Sequence, residues 1–510
     1  MKPNDPNHHS IRTALRLALP TEDPAGWVQK LARTPPLVRR RPTRLQVDEV
    51  FHDTPDRRLH QQRITWRTLR NDLGGQVLWQ QILEVEKPGF GALSHCEAWA
   101  SPLSTDAPER SALPPSFPSF RIDVDGMTLQ GLTPCCATST ERTRWTIRRR
   151  DGTHIEVTLK IGHLTAGDQR IPVCELELEL LAGLPVVLFE LAMQIARTLA
   201  LFPSPMTQHD QGHALDQGSR DTPWTAQPPS LKKSTPLRRA AGVLLTEMLE
   251  HFTANLVLLQ RSDDPEVVHQ ARVGWRRFKS GVRLFKTVLP SDSAPSWKPL
   301  ASLLRSLGEL RDCDVALTET LPGLQHLFTE GEADRQAHWA SMLQAMEQAA
   351  HQHRGAVRLA LQTPEVGQAL LSTLEWLTDL STVTAWPPLA NIPQRPLQDW
   401  ARRRLDHLRR RLKTATHDLD HLESQHSARI LAKRLRYSAE ALQGFLPKQR
   451  GRRWAQEGTR WQAALGASRD IARASTLAGE VGADPRLVEF LRGVAVGQQT
   501  RDTTSKNRKH

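Results

Sequence analysis

The sequence is poor in cysteine, and the cysteines that it has are scattered. Among 510 residues there are five. No two of them form a CxxC pair, and none belongs to a Cys/His grouping of the zinc-finger type. An odd number suits a reducing compartment. We therefore expect neither disulfide bonds nor a structural zinc ion. The five are Cys96, Cys135, Cys136, Cys174 and Cys313.

Long apolar runs are also scarce. The first ten residues, MKPNDPNHHS, have no apolar core of the kind that a signal peptide needs. The most apolar stretch, Leu184 to Ala192, is far too short to cross a bilayer. We expect a soluble, cytoplasmic protein without a membrane partner.

Positive charge is abundant, but only in one part of the chain. The formal net charge is +13. Residues 230–510 hold 42 Lys and Arg against 29 Asp and Glu, and subtraction from the totals of 68 and 55 leaves 26 against 26 for residues 1–229. A basic region joined to a neutral one suggests a localised surface for an anionic partner. Nucleic acid, polyphosphate and an anionic membrane are all compatible with this.

Residue patterning predicts an α+β protein of two domains. Residues 11–180 read mainly as strands, because apolar and polar residues alternate, as in Ile155 to Ile161 and Cys174 to Leu180. From Leu237 to about Gln499 the apolar spacing is helical. We place the domains at residues 1–213 and 237–499, with a linker at 214–236 and a disordered tail at 500–510.

The helical half contains an internal duplication. His269-x-x-Arg272-x-x-x-Arg276-Arg277-x-Lys279 recurs 157 positions later as His426-x-x-Arg429-x-x-x-Lys433-Arg434-x-Arg436. Leu307-Gly308-x-x-Arg311-Asp312 recurs after 158 positions as Leu465-Gly466-x-x-Arg469-Asp470. We assign the two copies to about 237–395 and 396–499.

Each duplicated helix has one cationic face and one apolar face. At about 100° per residue, the cations of the first copy fall within an arc of about 80°, and those of the second copy repeat it. If the two faces oppose each other, they enclose a basic groove for a linear polyanion. The alternative is an ordinary solvated basic face. The off-arc residues Arg277 and Arg434 are expected to form structural ion pairs. The arc residues are His269, Arg272, Arg276, Lys279, Arg283, His426, Arg429, Lys433 and Arg436.

These motifs resemble those of the CHAD family, an all-helical domain named for its histidines. The resemblance covers residues 237 to 495 and is carried by His269-Gln-Ala-Arg272-Val, Leu307-Gly-Glu-Leu-Arg311-Asp312 and Lys433-Arg434-Leu-Arg436-Tyr437. It implies two similar helical bundles around a basic cavity that binds inorganic polyphosphate, often on polyphosphate granules. It adds Arg311, Tyr437 and Arg469 to the binding residues.

The N-terminal half resembles the CYTH family over about residues 11–213. The resemblance rests on Phe51-His-Asp53-Thr-Pro-Asp-Arg-Arg-Leu59, on Trp66-Arg67 and on Glu175-Leu-Glu177-Leu-Glu179. It implies an antiparallel β tunnel with flanking helices, in which Lys and Arg hold a triphosphate and glutamates bind Mg²⁺ or Mn²⁺ for hydrolysis.

This chain departs from that pattern at its chemically important positions. Arg12, Ala14 and Arg16 stand where the family has its opening ExExK residues, Lys160 replaces an acidic residue, and Glu84 replaces a lysine. We expect Arg12, Arg16 and Lys160 to pair with Glu175, Glu177 and Glu179 inside a closed barrel, which neutralises the tunnel without metal.

The leading interpretation is therefore a polyphosphate-binding protein with a degenerate, inactive tunnel and no cofactor. A metal-dependent tripolyphosphatase is the enzymatic alternative. It would use Mg²⁺ or Mn²⁺ on Glu175, Glu177 and Glu179, with Arg67, Arg142 and Arg144 as anion ligands. A nucleic-acid binder is the third reading. It ranks below the others because single-strand binding usually adds aromatic stacking platforms, whereas Tyr437 is the only tyrosine and the duplicated cationic faces carry no other aromatic residue. The oligomeric state stays open.

Overall fold

A computed structural model describes most of the chain. The described residues are 8–20, 23–73, 76–87, 91–109, 131–232, 234–289, 294–330, 332–382, 397–417, 422–464 and 467–507. They divide into two compact units. The first unit comprises Met1–Trp224, Leu256–Ser262 and Leu361–Thr378, and the second comprises the rest. The first boundary, at Trp224, falls inside the predicted linker.

The first unit is built on a closed antiparallel barrel of eight strands, which confirms the α+β prediction for this half. The strands follow the order β5-β4-β3-β2-β6-β7-β8-β1, and pairing of β1 with β5 closes the barrel. A two-residue strand, β9, extends the sheet beside β1. The strands are β1 His8–Ala18, β2 Thr43–Asp53, β3 Ile64–Leu73, β4 Gln76–Glu86, β5 Leu93–Leu103, β6 Thr133–Arg148, β7 His154–Ala166, β8 Gln169–Ala182 and β9 Phe202–Pro203.

The alternation in these strands separates an apolar outer layer from a charged interior. On β7 and β8, Val157, Leu159, Leu176 and Leu178 are fully buried. The helix α3, Val186–Ile195, packs against β8 and β1. The intervening glutamates and basic residues line the barrel cavity. The predicted grouping of Glu175, Glu177 and Glu179 on one face of a strand is therefore confirmed.

Short helices complete the first unit. Helix α4 packs on β6 and β7. It begins with a capping box, in which Thr207 Oγ1 accepts a hydrogen bond from the Asp210 amide and Asp210 Oδ2 accepts one from the Thr207 amide. The helices are α1 Gly26–Ala32, α2 Arg58–Gln61, α3 Val186–Ile195 and α4 Gln208–Asp216.

The first unit also contains a segment of the helical half of the sequence. Residues 361–378 belong to it. Gln368 Nε2 donates to the carbonyl oxygen of Ala196 at 2.9 Å. A Cβ added at Gly367 would lie 2.3 Å from the Leu201 carbonyl oxygen, so only glycine permits this approach. The compact units therefore do not follow the sequence boundary at residue 237.

The second unit is all α-helical, as predicted. Helices α5, α9 and α10 contribute in part to the first unit. The α-helices are α5 Leu237–Leu259, α6 Pro265–Phe285, α7 Ala301–Val315, α8 Gln325–Thr329, α9 Ala333–Leu361, α10 Pro364–Thr382, α11 Leu397–Ala415, α12 Leu422–Ala441, α13 Lys448–Ala464, α14 Ala467–Glu480 and α15 Pro485–Asn507. Helix α15 continues into the tail that was expected to be disordered.

Helix α5 is apolar enough to raise the question of a membrane span. By length and composition alone it could cross a bilayer, which inspection of the sequence for apolar runs had missed. However, 83% of its apolar window is buried inside the protein. Core helices of globular proteins show the same composition, so this is weak evidence for a span.

The duplicated helices α6 and α12 pack against each other, and α7 packs against α14. The predicted apolar face is buried in both copies. Trp275 and Phe278 on α6, and Ala432 and Leu435 on α12, are at most 7% exposed. The second landmark differs between the copies. In the first copy it lies within α7, whereas in the second only Arg469 and Asp470 are described, on α14. Leu465 and Gly466 lie outside the described residues.

Candidate functional sites in the helical unit and in the barrel

Five basic residues from three helices meet in the second unit, and we call them the cationic cluster. Arg272 and Arg276 come from α6, Arg429 and Lys433 from α12, and Arg469 from α14. The positive charges of all four arginines contribute to lowering the pKa of Lys433. Cations of the two duplicated faces therefore lie close together, which is the condition under which the sequence analysis expected a basic groove.

Within the part of the chain that the structure describes, no member of the cluster has a carboxylate oxygen within 4.0 Å. Burial and the neighbouring cations together lower the pKa of Lys433 to about 8. The pKa values of Arg272 and Arg429 are lowered for the same two reasons. Arg429 Nε and Nη1 are buried and have no described hydrogen-bond acceptor. Asp312 near Arg272 and Asp470 near Arg429 offset these shifts only in part, so the cluster holds more positive charge than its described carboxylate neighbours compensate.

Helix packing forces these cations together. A Cβ added at Gly308 of α7 would lie 2.9 Å from Arg272 Nη1, so the glycine makes space for the guanidinium group. Arg276 Nε donates to the Arg272 carbonyl oxygen at 3.3 Å, which directs its side chain back along α6. The Leu-Gly-x-x-Arg-Asp motif of α7 thus makes space for a cation of the His-x-x-Arg motif of α6.

The other predicted binding residues lie around the cluster in different states. His269 is half-buried, and burial followed by Arg311 lowers its pKa. Arg311 is paired with Glu319 at 2.6 Å, and Arg436 with Glu440 at 2.9 Å. Tyr437 is only 4% exposed, with its ring centroid 5.6 Å from the Arg436 guanidinium carbon. Lys279, Arg283 and His426 are exposed.

The two off-arc arginines behave differently from each other. Arg277 is 2% exposed and makes a bidentate ion pair with Glu247, with N–O distances of 3.1 and 2.9 Å. Its structural role is confirmed, although its partner is not an Arg-Asp segment. Structural pairing was the wrong expectation for Arg434, because Arg283 and Arg411 are its charged neighbours and its Nε is buried without an acceptor among the described residues.

The barrel interior has the opposite electrostatic character, because its cations are paired. Arg12 bonds Glu84 and Glu179, and lies 3.4 Å from Glu177. Arg16 is 3.1 Å from Glu86, and Arg67 is 3.0 Å from Glu84. Every one of these arginines therefore has a carboxylate partner contributed by another strand.

Lys160, Arg142 and Arg144 complete the interior network. Lys160 Nζ lies 2.9 Å from Glu177 and 3.5 Å from Glu175. Arg142 bonds Glu49, and Arg144 Nε is 3.6 Å from Glu156. The predicted pairing of Arg12 and Lys160 with the Glu175-Glu177-Glu179 set is confirmed. The prediction was wrong for Arg16, whose ion-pair partner is Glu86. Sequence reasoning missed Glu49 and Glu86, although both stand at alternating positions of strands.

Ion pairing shifts the pKa values of barrel residues towards the charged forms, whereas the shifts in the cationic cluster disfavour the charged forms. Burial would raise the pKa of Glu49, but Arg142, Arg67 and Lys160 outweigh it and hold this pKa at about 2. Burial would lower the pKa of Arg12, but Glu84 and Glu179 raise it above its usual value. Glu175 is an exception, since burial dominates and raises its pKa.

A cavity of about 430 Å³ remains inside the barrel. Arg67, Arg142 and Arg144, the predicted anion ligands, line it together with Glu156, Glu177 and Glu179. Counting the described interior network, six cations face seven glutamates, so no excess positive charge is available for a triphosphate. The glutamates are equally occupied, since Glu177 and Glu179 are held by Arg12 and Lys160 rather than left open for a divalent cation.

A third group of chemically active side chains was missed altogether. Cys135 of β6 and His209 and His213 of α4 offer ligand atoms that all lie within 4.8 Å of one another. The expectation that no cysteine belongs to a Cys/His grouping was therefore wrong. The His209-x-x-x-His213 spacing, which places two imidazoles on one helical face, was the signal available in the sequence.

Comparison with known proteins agrees with this architecture. Residues 243–479 match the family model of the CHAD domain. The helical half of the chain therefore carries a CHAD domain, and the closed eight-stranded barrel before it resembles the CYTH tunnel.

Three solved structures illustrate the similarity. The CHAD domain from the plant Ricinus communis is 27% identical, with a TM-score of 0.46, and the match covers 55% of this chain and 92% of that one. A Hippeastrum protein named as an adenylyl cyclase with a dominant triphosphatase activity is 15% identical, with a TM-score of 0.29 and coverage of 40% and 95%. A Bacillus halodurans protein named as an adenylate cyclase is 14% identical, with a TM-score of 0.25 and coverage of 37% and 90%. None of the TM-scores reaches 0.5, so the CHAD assignment rests on the family model and on the residues described above.

Proposed function

We propose that this protein binds inorganic polyphosphate through the cationic cluster of its CHAD domain, and that its barrel is a non-catalytic module. One observation carries the proposal. The basic residues of the barrel are paired with carboxylates, whereas those of the cluster are crowded together without a carboxylate oxygen within 4.0 Å among the described residues, and the pKa values of Arg272, Arg429 and Lys433 are lowered.

Crowded, unpaired cations are costly for a folded protein, and a bound polyanion removes that cost. Polyphosphate repeats its negative charge at close intervals along a flexible chain, so one molecule can contact cations from α6, α12 and α14 together. Arg guanidinium groups bond phosphate oxygens through two parallel N–H groups, and Lys433 adds a point charge. Lys279, Arg283 and His426 are exposed on the same two helices and extend the path.

Titration of the full-length protein with long-chain polyphosphate, at two salt concentrations, tests this proposal. We expect saturable binding that weakens at higher salt, because binding releases counterions. The double charge reversal Arg276→Glu/Lys433→Glu should abolish binding. Arg486→Glu/Arg492→Glu is the matched control, because it makes the same change of net charge at exposed positions of α15. Equal affinity of both double variants would refute the site.

Competition separates polyphosphate from nucleic acid, the second candidate ligand. RNA and duplex DNA are added at equal phosphate concentration to the complex with labelled polyphosphate. We expect weak displacement, because the cluster offers guanidinium and ammonium groups while its one neighbouring tyrosine, Tyr437, is buried and cannot stack on a base. Displacement by RNA as efficient as by polyphosphate itself would favour a nucleic-acid function.

The enzymatic alternative has its own test. Tripolyphosphate is incubated with the full-length protein and Mg²⁺ or Mn²⁺, and released phosphate is measured. We expect no release above background, because hydrolysis needs glutamates that can ligate the metal and Glu177 and Glu179 are engaged by Arg12 and Lys160. Metal-dependent release that is lost in Glu177→Gln would show that the tunnel is active.

A localisation on polyphosphate granules follows from this function. A fluorescent fusion should collect on granules in cells that store polyphosphate, and the Arg276→Glu/Lys433→Glu variant should stay diffuse in the cytoplasm.

A further inference from the structure

The Cys135, His209 and His213 group lies where helix α4 packs on strands β6 and β7. His213 is 3% exposed and His209 is also 3% exposed, while Cys135 is half-buried. Cys135 stands 74 residues before His209 and 78 before His213, and α4 brings its two histidines to the β6 cysteine as a unit. Three residues with the donor atoms of a transition-metal site thus share one buried location.

His213 cannot satisfy both of its ring nitrogens with the neighbours that the structure describes. Its Nε2 lies 2.9 Å from Nε2 of His209 and 3.1 Å from Oδ2 of Asp53, while its Nδ1 is buried and has no hydrogen-bond partner. If Nε2 carries the proton, Nδ1 presents an unused lone pair to the interior. If Nδ1 carries it, a buried N–H lacks an acceptor, and the Nε2 lone pair faces a carboxylate. Nε2 of His213 lies beside both Nε2 of His209 and the Asp53 carboxylate, so it is the nitrogen placed to serve as the ligand atom, and Nδ1 stays outside the site.

The surrounding groups hold these side chains in place, as the outer shell of a metal site does. His209 Nδ1 is 3.3 Å from the Thr65 hydroxyl oxygen, which leaves its Nε2 directed at His213. The Asp53 carboxylate accepts hydrogen bonds from the backbone amides of Thr54, Leu59 and His60 at 2.7, 3.0 and 3.1 Å. The Phe51 ring stacks on His209 with a centroid separation of 5.6 Å. Neither imidazole is therefore free to turn away from the cysteine.

Two of the donor-atom separations are close to those around a tetrahedral ion, and Cys135 Sγ lies within 4.8 Å of the ligand atoms of both histidines. With Zn–N bonds of about 2.0–2.1 Å, two nitrogen ligands lie about 3.3 Å apart, and a nitrogen and a thiolate sulfur about 3.6 Å apart. The His209–His213 separation of 2.9 Å and the His213–Asp53 separation of 3.1 Å are both within about half an ångström of that geometry. Oxygen-seeking Mg²⁺ and Ca²⁺ do not suit this donor set, whereas Zn²⁺ takes imidazole, thiolate and carboxylate together.

We propose that Cys135, His209 and His213 bind one Zn²⁺ ion, with Asp53 as the fourth ligand or as the carboxylate that orients His213. The ion links α4 to β6, and through Asp53 to the end of β2. It serves as a structural clamp that fixes α4 on the barrel. This site is independent of the cationic cluster and of the proposed polyphosphate function.

Cobalt substitution of the full-length protein provides the test. Protein stripped with a chelator is titrated with Co²⁺, and the visible spectrum is recorded. We expect one equivalent to bind, with the intense ligand-field bands of a tetrahedral site and a thiolate-to-cobalt charge-transfer band, and Zn²⁺ should displace it. Zn²⁺ should also raise the midpoint of thermal unfolding of the stripped protein.

Variants then assign the ligands. Cys135→Ser should remove the charge-transfer band and weaken Co²⁺ binding by about 100-fold or more, and His213→Gln should abolish the tetrahedral spectrum. Cys174→Ser is the matched control, because Cys174 is a buried barrel cysteine outside the group. Cys135 is half-buried, so its serine variant is expected to fold, which circular dichroism verifies. Absence of a tetrahedral cobalt spectrum in the unmutated protein overturns the proposal, as does a charge-transfer band that survives in Cys135→Ser.

Discussion

The lowered pKa of Lys433 makes a quantitative prediction about polyanion binding. In the free protein, burial and the charges of Arg429, Arg276, Arg469 and Arg272 lower this pKa from 10.5 to about 8. A bound polyphosphate supplies negative charge at the centre of these cations and should raise the pKa towards its ordinary value. Lys433 should therefore take up a proton when the polyanion binds.

The magnitude follows from the two pKa values. Free Lys433 is about half deprotonated at pH 8 and about 90% deprotonated at pH 9, whereas in the complex it is almost fully protonated at both. Binding should thus take up about 0.5 proton at pH 8 and about 0.9 at pH 9. Since deprotonation removes a binding charge, the affinity should fall as pH rises, by about tenfold between pH 7 and pH 9.

Calorimetry in buffers of different ionisation enthalpy measures the proton uptake directly. Lys433→Arg is the informative control, because arginine keeps its charge throughout this pH range and should bind polyphosphate without the pH-dependent proton uptake. The reasoning is refuted if the unmutated protein shows no buffer dependence at pH 9. It is also refuted if Lys433→Arg retains the same uptake, because another group would then be titrating.

Three further predictions concern the barrel and the helix contact. Glu49→Gln leaves buried Arg142 without its carboxylate partner, so it should lower the free energy of unfolding of the first unit by about 3–5 kcal/mol in urea denaturation. Glu141→Gln is the control, because Glu141 is in an exposed pair 3.9 Å from Arg44, and it should change this free energy by less than about 1 kcal/mol. Because the pKa of Glu49 is lowered from 4.5 to about 2, its stabilising contribution is complete above about pH 4.5 and is lost as pH falls towards 2. The free energy of unfolding, followed by circular dichroism, should therefore fall between pH 4.5 and pH 2 more steeply in the unmutated protein than in Glu49→Gln, and equal slopes would refute the pairing. Gly308→Ala should preserve or slightly raise the stability of α7, but its added methyl group should displace the Arg272 guanidinium group. Polyphosphate binding should therefore weaken by up to about tenfold, and unchanged affinity would remove Arg272 from the site.

Much of the fold was accessible from the sequence because its signals are local. Alternation identified strands such as β7 and β8, and the repeated His-x-x-Arg spacing identified α6 and α12 as copies. The same spacing placed the two cationic faces, because helical geometry fixes which side chains share an arc. These inferences needed no knowledge of which segments are neighbours in space.

The partners of the charged residues were less accessible, because strand register decides them. Arg12 was expected to meet only the β8 glutamates, yet it also bonds Glu84, since β1 closes the barrel against β5 and brings β4 within reach. Glu84 had been noted as a missing lysine rather than as a carboxylate partner. For Arg434 an ion pair was expected, but a position off the cationic arc does not determine whether a carboxylate lies opposite the side chain.

The Cys135–His209–His213 group was inaccessible for a related reason. Zinc motifs are recognised in sequences when their ligands come in closely spaced pairs, and here the only such pair is the two histidines of α4. The cysteine lies on β6, and the contact depends on α4 packing across the end of the barrel. The capping box at Thr207 fixes where α4 begins, and so determines which of its residues face the strands.

The barrel and the cationic cluster show that the count of basic residues does not distinguish a binding surface from a structural network. Arg12 and Arg276 both lie on strongly basic faces of their own elements. Arg12 is neutralised by carboxylates from β4 and β8, whereas Arg276 faces Lys433 across two packed helices and has no carboxylate within 4.0 Å among the described residues. A protein gains nothing in stability from bringing Arg276 and Lys433 together, since their repulsion opposes folding. The duplication nevertheless presents these cations from both copies on adjoining faces, and the proposed polyanion, by bridging the copies, would offset this repulsion.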